Sequence, residues 1–256
     1  MIVLPPGNIL QNLYIKERVR RNKPKNFLEI GSGNGHISNM LLKLGIKGVG
    51  YDLNLSACDN NRILNKTYIE SGVYEVINDD FLNLVTDTKF DLIISSMVIE
   101  HLTEDILELF INKCKDLLSE SGIIAFLVPS SMKHWGIEDE IAGHIKLYER
   151  EDFFSFKEKH NLDIKNISGL TYPISNWLFH LSNYLVKKEE SSKLLLSQKE
   201  KTVYTGNRNV SYKTTFPPIF GIILNEVVLY PFHILQKIFA NNKNCLVIYC
   251  ELRFEK

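Results

Sequence analysis

The chain of 256 residues has no excess charge of either sign. Thirty lysines and arginines are balanced by thirty aspartates and glutamates. Proteins that bind nucleic acids broadly through the phosphates usually carry a basic excess. The balance therefore predicts no nucleic-acid partner, although it does not exclude an RNA or DNA substrate.

Cysteine is scarce and is not spaced like a set of metal ligands. The four positions are Cys58, Cys114, Cys245 and Cys250. None forms the paired C-x-x-C pattern of a structural zinc site. We expect reduced thiols and a cytoplasmic location. The first residues contain prolines and no basic segment before an apolar run, so we also expect no secretory signal.

The chain lacks an uninterrupted apolar run of about 20 residues, the length that a membrane-spanning helix requires. A candidate between residues 216 and 239 is interrupted by polar residues and a proline. These are Asn225, Glu226, Pro231, His233, Gln236 and Lys237. We expect no transmembrane span, but peripheral contact with a membrane remains open.

Glycine, by contrast, is concentrated at one point. Gly31, Gly33 and Gly35 follow a short apolar strand and precede an amphipathic stretch. Glycines let the backbone turn sharply and approach a ligand closely, because no Cβ intervenes. The helix that follows directs its free N–H groups at the same point. The pattern indicates a loop that binds a nucleotide cofactor, and the strand–loop–helix context disfavours a purely structural turn.

Three further motifs follow in order. The second strand, from Lys47, ends in the acid Asp52, and a third apolar run, Val73–Ile77, precedes Asp79-Asp80-Phe81. A fourth strand, from Phe90, leads into Glu100-His101-Leu102. His36 stands where the third glycine of a dinucleotide fingerprint would fall. Together these motifs resemble those of class I S-adenosylmethionine-dependent methyltransferases.

The resemblance implies S-adenosylmethionine as the cofactor and assigns a role to each motif. Glu29 would organise the methionine end, Asp52 the ribose hydroxyls and Asp80 the adenine amino group, with Asp79 as the alternative one place earlier. The implied cofactor site comprises Glu29, Gly31, Ser32, Gly33, Gly35, Asp52, Leu53, Asp80, Phe81, Ser95 and Ser96. NAD-dependent enzymes use an acid at a similar position, so Asp52 by itself does not distinguish the two cofactors.

Alternating strands and helices predict an α/β fold. We expect a Rossmann-like, doubly wound sheet of seven strands, of which the last is antiparallel, as the resemblance implies. Helices are predicted near 36–44, 56–71, 103–118 and 151–159, and the last three strands at 123–128, 162–168 and 245–254. In the third helix the residues expected to face inward are Ile106, Leu109, Phe110 and Leu117.

A helical insertion is expected between strands 6 and 7, at residues 172–244, so that residues 1–171 and 245–256 form the methyltransferase domain. Its first helix carries Trp177, Leu178, Leu181 and Leu185 at helical spacing, and a second starts after Phe216-Pro217-Pro218. That second helix carries the stripe Phe220, Ile223, Leu224, Val227 and Val228, and Pro231 is expected to break or kink it. The intervening residues 187–208 are expected to be loop-like. A lid, a homodimer surface, a docking face for a lipid-bearing substrate and simple packing on the sheet all remain open.

The segment Gly143-His144-Ile145-Lys146-Leu147-Tyr148 resembles a Gly-His-x-x-x-Tyr stretch of many small-molecule methyltransferases. We expect His144 to act as a base or a substrate ligand and Tyr148 to line the pocket. His134 and Trp135 are the next candidates. A structural hydrogen bond is the alternative role for His144, since catalysis depends on geometry.

One expected absence concerns metal. Ubiquinone-pathway O-methyltransferases carry Glu-x-x-Glu-His at the turn after strand 4, for a divalent ion, whereas this chain has Met97 in place of the first acid. A thioether is a poor ligand for a hard cation. We therefore expect no metal, and an acid such as Glu100 before a helix also has a purely structural explanation.

The sequence thus predicts a methyltransferase that acts on a small-molecule, sugar-linked or lipid-linked acceptor, with oxygen as the expected acceptor atom. An NAD-dependent oxidoreductase and a non-catalytic cofactor-binding module are the alternatives.

Overall fold

The computed structural model describes residues 3–196, 201, 210–214 and 216–255. Its strands are β1 (Asn26–Ile30), β2 (Lys47–Tyr51), β3 (Tyr74–Ile77), β4 (Phe90–Ser96), β5 (Leu118–Pro129), β6 (Leu162–Leu170) and β7 (Val247–Phe254). Its helices are α1 (Pro6–Asn22), α2 (His36–Lys43), α3 (Leu55–Leu64), α4 (Lys66–Glu70), α5 (Glu104–Leu117), α6 (Ile137–Ala142), α7 (Arg150–His160), α8 (Ile174–Glu190) and α9 (Glu226–Ile238).

The seven strands form one sheet in the order β3-β2-β1-β4-β5-β7-β6. Strands β1 to β5 are mutually parallel, and β7 runs antiparallel between β5 and β6. The predicted fold class is confirmed, including the antiparallel last strand. The order reverses between β1 and β4, and ligands of open α/β sheets bind at such a switch point, outside the carboxyl ends of the strands.

Helices cover both faces of the sheet, because successive strand residues point to opposite sides. On one side, Leu28 packs in a cluster with Phe110 of α5 and Phe153 of α7. On the other side, Phe27 packs with Ile15 of α1 and with α2. Both strand residues are fully buried, as expected for a sheet covered on both faces.

Several predicted details of the sheet layer are wrong. The helix expected at 56–71 is two helices, α3 and α4, which meet at Asn65. In α5, Ile106 and Leu109 are 38% and 56% exposed, and the buried positions are Phe110, Ile111, Cys114 and Leu117. The true inward face is thus rotated by about one residue from the predicted face. Strand β5 starts five residues earlier than expected.

The insertion also differs from prediction. After the prolines there is only a 3₁₀ turn, Pro218–Ile222, and α9 starts at Glu226, where the Asn225 side chain accepts hydrogen bonds from two backbone N–H groups. Pro231 lies inside α9 without ending it. Helix α8 continues to Glu190 and a 3₁₀ turn follows, so residues 187–195 are not a loop. The remainder of the segment predicted to be loop-like lies largely outside the described residues.

The insertion packs mainly against helices. Helix α9 lies along α1 and touches β6, and α8 contacts α6 and α1. Ile9 and Leu10 of α1 form a small cluster with Leu229 of α9. In the described part of the chain, no helix combines the length and hydropathy needed to cross a bilayer.

Candidate active site

The glycine loop, residues 31–35, connects β1 to α2 at the switch point. Its three glycines have positive φ, at +74° for Gly31, +50° for Gly33 and +80° for Gly35. The backbone N–H groups of Gly31 and Ser32 both donate to the Tyr51 carbonyl at the end of β2, at 2.9 Å. The loop is thereby held against the neighbouring strand.

The three glycines have different surroundings. A Cβ on Gly31 would lie 2.3 Å from Val98 Cγ2, and one on Gly35 would lie 2.2 Å from Asn61 Oδ1. A Cβ on Gly33 would meet no atom within 4 Å. Gly31 and Gly35 therefore allow protein segments to pack closely, whereas Gly33 borders open space that a ligand can occupy.

Asp52 joins the loop to the end of β2. Its Oδ2 accepts a hydrogen bond from the Gly33 amide and its Oδ1 accepts one from the Asn54 amide, both at 2.8 Å. An ionised carboxylate offers about four acceptor sites. Asp52 can thus accept further hydrogen bonds, such as those of two ribose hydroxyls, while it still holds the loop.

A buried polar network lies beneath the loop. Ser38 donates a hydrogen bond to the Glu29 carboxyl and accepts one from the Tyr74 hydroxyl at 2.7 Å. Asn61 donates to Ser32 Oγ at 3.2 Å and to the Tyr74 hydroxyl at 3.0 Å. Burial raises the pKa of Glu29 to about 8, the Asp52 charge acts in the same direction, and the hydrogen bonds from Ser38 oppose them. Burial favours the neutral acid because the charged form loses its hydration.

The third predicted motif lies at the end of β3. The Asp80 side chain accepts a hydrogen bond from the Leu82 amide at 2.9 Å and so begins a 3₁₀ turn. Asp79 accepts from the Asp80 amide and from Asn83. Phe81 is buried and packs on Phe110 at a ring separation of 5.1 Å. The structure thus places Phe81 in the core.

The other predicted cofactor residues lie along the same edge. Leu53, after Asp52, is 65% exposed. Ser95 is paired with Ile30 of β1, and Ser96 ends β4. The Ser95 hydroxyl is buried without a hydrogen-bond partner. An unpaired buried hydroxyl at a switch point is consistent with a ligand that supplies the missing contact.

A second group of polar side chains follows β4 and β5. We call Glu100, His101 and His144 the acid–imidazole cluster. The His101 and His144 rings lie 4.9 Å apart, and His144 Nε2 lies 3.9 Å from Glu100 Oε1. His144 Nδ1 is 2.8 Å from Asp139 Oδ1, and His101 Nδ1 is 3.2 Å from the Gly143 carbonyl. The amides of residues 145 and 146 donate to the Glu100 carbonyl and hold the two segments together.

Burial dominates the electrostatics of this cluster. Glu100 has no exposed surface, and neither of its carboxyl oxygens hydrogen-bonds to another residue. Burial raises the pKa of Glu100 to about 7, and His144 opposes this effect. Burial lowers the pKa of His101 to about 4, and His144 acts in the same direction. His101 is therefore neutral at pH 7.

The remaining predicted residues have other environments. Tyr148 is 1% exposed, and its hydroxyl donates to the Ile99 carbonyl at 3.1 Å. The structure thus places Tyr148 beneath the turn that carries Glu100. His134 follows β5 in a 3₁₀ turn and contacts Phe179 of α8, and Trp135 ends that turn.

Several residues that shape the site were not among the predicted ones. Asp139, which holds His144, lies in α6, a helix that the sequence did not predict. The Gly136 that precedes this acid-rich helix was the available signal, since a helix often begins at such a residue. Ser38, Asn61 and Tyr74 come from three separate elements, so no local pattern identifies their network.

Comparisons with known proteins point to the same family as the sequence motifs. The profile of a family described as a methyltransferase domain matches residues 9–166, more than half of the chain. A ubiquinone biosynthesis O-methyltransferase of Pelagibacter ubique (strain HTCC1062) is 23% identical over 192 residues, which cover 69% of this chain and 77% of that protein. Its counterpart in Pasteurella multocida (strain Pm70) is 27% identical over 143 residues, with coverages of 51% and 57%.

A solved structure has the same architecture. An S-adenosylmethionine-dependent methyltransferase from Clostridium acetobutylicum ATCC 824 superposes with a TM-score of 0.56 at 12% identity, over 96% of this chain and 92% of that one. This likeness establishes the fold. The open space at Gly33, the spare acceptor sites of Asp52 and the unpaired Ser95 hydroxyl fit a cofactor with a ribose and polar ends. The chain belongs to the methyltransferase-domain family, as a class I, S-adenosylmethionine-dependent methyltransferase.

Proposed function

We propose that the protein transfers the methyl group of S-adenosylmethionine to an oxygen atom of a small-molecule, sugar-linked or lipid-linked acceptor. The observation that carries the proposal is the acid–imidazole cluster, which lies at the same sheet edge as the glycine loop. Attack of a hydroxyl on the methyl group requires removal of a proton, and histidine is the side chain best suited to accept it near neutral pH.

His144 is the proposed base. Asp139 fixes its Nδ1 at 2.8 Å, which leaves Nε2 for the acceptor hydroxyl. A carboxylate that fixes one ring nitrogen in this way orients the imidazole, so that the other nitrogen can act as a base. In the reaction, the acceptor oxygen would lose its proton to Nε2 and attack the methyl carbon, and the sulfonium would leave as a neutral thioether. The other proposed residues bind: Asp52 the ribose, Asp80 or Asp79 the adenine, and Glu29 the methionine end.

The insertion supports a lipid-linked acceptor. Helix α9 buries His233 and Gln236 beside Leu229, and it exposes Val227, Tyr230, Ile234 and Ile238 on its other side, where an amphipathic helix usually carries polar residues. We define these four exposed residues as the apolar face of α9. An apolar face of this kind suits the lipid part of an acceptor or the membrane surface that holds it. We therefore propose residues 172–244 as the acceptor-binding element of the domain at residues 1–171 and 245–256.

The test measures S-adenosylhomocysteine release with phenolic, sugar and isoprenoid-linked acceptors, together with mass spectrometry of the product. We expect an O-methylated product and a fall in kcat of roughly 100-fold or more for His144→Ala, the usual range for loss of a general base. Glu158→Gln is the control, because Glu158 is exposed on α7, outside the proposed acceptor-binding element. Equal kcat in the wild type and His144→Ala would remove His144 from the chemistry.

Calorimetry separates the rival functions. Binding of S-adenosylmethionine without binding of NAD is expected, and the reverse result would indicate hydride transfer. A cofactor that binds and is never consumed with any acceptor would favour a non-catalytic binding module.

A further inference from the structure

We propose that Lys213 of the insertion is a positioning residue for the base, because it fixes α6, the helix whose Asp139 orients His144. We call the contacts that Lys213 makes with Glu138 and Ser182 the α6 clamp. The inference rests on the proposed function for the role of His144, whereas the effect of the clamp on the imidazole can be measured without an acceptor. The insertion would then orient the base as well as bind the acceptor.

The orientation of His144 depends on α6 at two points. Its ring Nδ1 lies 2.8 Å from Asp139 Oδ1, and its backbone amide donates to the Asp139 carbonyl at 3.0 Å. The other carboxyl oxygen of Asp139 accepts a hydrogen bond from the Gly136 amide at 2.8 Å, at the start of α6. One carboxylate therefore ties the imidazole to the first turn of the helix. A shift of α6 would move the imidazole with it.

Helix α6 is too short to hold this position alone. It has six residues, and isolated helices of fewer than about 12 residues are marginal in water. Its Ile141 is buried in a cluster with Val186 of α8 and Val210. Both of these partners belong to the insertion. The insertion therefore contributes to the position of α6.

The α6 clamp is an ion pair supported by a hydroxyl group. Lys213 Nζ lies 2.7 Å and 2.6 Å from the two carboxyl oxygens of Glu138, and it donates to Ser182 Oγ at 2.6 Å. The Lys213 and Glu138 side chains are 23% and 28% exposed. An ion pair that is partly shielded from water and uses both carboxyl oxygens holds a more defined geometry than a fully exposed pair. The clamp thus fixes the residue next to Asp139.

Helix α8 also reaches the start of α6 directly. The Asn183 side-chain oxygen accepts a hydrogen bond from the Glu138 amide at 3.4 Å, and a Cβ on Gly136 would lie 2.6 Å from the same oxygen. The first amides of a helix have no acceptor within the helix, so Asn183 supplies one. The first turn of α6 is therefore held by two parts of the insertion, namely α8 and the segment that carries Lys213.

The clamp should affect the chemical step more than cofactor binding. A displacement of about 1 Å at a reacting group can cost about 100-fold in rate. We therefore expect Lys213→Met to lower kcat by about tenfold or more. The KM for S-adenosylmethionine should not change, since Glu138 and Ser182 belong to α6 and α8 and not to the proposed cofactor site. A loss of stability alone would not produce this separation of kcat from KM.

The experiment uses the full chain labelled with ¹⁵N at histidine. Two-bond ¹H–¹⁵N spectra report the imidazole shifts of His144, and His144→Ala identifies its signals. Because Nδ1 faces a carboxylate, we expect the tautomer with the proton on Nδ1 in the wild type. Asp139→Asn should change the His144 shifts, and Lys213→Met should change them in the same direction. Lys213→Arg should restore both the shifts and kcat, since a guanidinium can bind both oxygens of one carboxylate.

Two further variants complete the design. Glu138→Gln breaks the same ion pair from the other side, so its effect on kcat should equal that of Lys213→Met, and the double variant should lose no more than either single variant. Lys159→Met is the matched control, because Lys159 joins α7 to Glu108 of α5 at 2.7 Å, outside the insertion. It should leave the His144 shifts and kcat unchanged. Unfolding curves confirm that each variant is folded, and Glu138→Gln replaces Lys213→Met if the latter does not fold.

Wild-type His144 shifts in a folded Lys213→Met variant would overturn the proposal, as would an unchanged kcat. Either result would leave His144 as the proposed base. If the wild type methylated no acceptor, the proposed function would fail, while altered His144 shifts in Lys213→Met would still support the clamp.

Discussion

We call the part of the site around the glycine loop the cofactor half and the part around the acid–imidazole cluster the acceptor half. The two halves differ in how their buried carboxyl groups are paired. Beneath the glycine loop, the buried Glu29 carboxyl accepts a hydrogen bond from Ser38, which in turn contacts Tyr74. Beside β4, the equally buried Glu100 carboxyl has no hydrogen-bond partner. In the first half, the buried acid is satisfied by the protein itself. The second half is incomplete, which is expected where a substrate supplies the missing contacts.

The helices of the cofactor half and of the insertion also differ in how far their apolar residues are buried. Helix α2, which follows the glycine loop, buries Met40, Leu41 and Leu42 in the core. Helix α9, in the insertion, exposes Val227 to 83% and Ile238 to 71%, and it buries Gln236 completely. Helix α2 therefore packs its apolar residues in the core, whereas the apolar face of α9 is exposed among the described residues.

The glycine loop gives the largest expected effect on the cofactor half. Gly35→Ala places a Cβ against Asn61 at a φ of +80°, so both overpacking and backbone strain oppose folding. We expect a loss of about 2–5 kcal/mol of unfolding free energy. Cofactor binding should also be lost. Denaturant titration and calorimetry measure the two effects.

Gly33→Ala separates cofactor binding from core packing, because its Cβ would meet only the open space where the cofactor is expected. Strain alone should cost about 1–2 kcal/mol of stability. Affinity for S-adenosylmethionine should fall at least tenfold. Gly45→Ala is the matched control, since Gly45 also has a positive φ and open surroundings but lies after α2, away from the loop. Equal affinities in the Gly33 and Gly45 variants would contradict the assignment of the open space.

Asp52→Ala should have the next largest effect. It removes the acceptor of the Gly33 amide and the expected acceptor of the ribose hydroxyls. Cofactor binding should weaken by about 1–3 kcal/mol, which is the usual effect of leaving polar groups unpaired. Asp79→Ala and Asp80→Ala, tested in the same calorimetric series, would show which acid contacts the adenine. Unchanged affinity for Asp52→Ala would exclude this residue from the site.

The sequence could predict features that depend on local patterns, but not contacts between distant segments. The succession of strands and helices along the chain and the glycine loop were predictable, because both depend on local patterns such as three glycines between an apolar strand and a helix. The inward face of α5 was predicted correctly at Phe110 and Leu117 and incorrectly at Ile106 and Leu109, since these two fit a helical stripe that the sheet does not cover. The convergence of His144 with Glu100 depends on the pairing of distant segments, which no spacing encodes.

A further prediction concerns the pH dependence of stability. Because burial raises the pKa of Glu29 to about 8, the folded state retains a proton there that the unfolded state releases near pH 4.5. The free energy of unfolding should therefore fall as pH rises from about 5 to 8, with a contribution of up to about 1.4 kcal/mol per pH unit. Glu29→Gln should flatten this dependence in the cofactor-free protein.

The exposed Glu158→Gln is the control for this measurement, which requires unfolding curves at several pH values. A Glu29→Gln variant with the same pH dependence as the wild type would show that Glu29 is ionised in the folded state. The cofactor half would then hold a buried charge, as the acceptor half does when Glu100 is ionised.

The smallest effect on stability is expected on the apolar face of α9. Val227→Asn should change the unfolding free energy by less than about 0.5 kcal/mol, because exposed positions contribute little. Leu229→Ala, two residues away and 7% exposed, should cost about 2–5 kcal/mol. Binding of Val227→Asn to vesicles that carry an isoprenoid lipid should nevertheless weaken. If Val227→Asn destabilised the chain as much as Leu229→Ala, the face would be part of the core, and α9 would resemble the helices of the cofactor half. A change from dimer to monomer in sedimentation would instead indicate that a second copy of the chain covers this face.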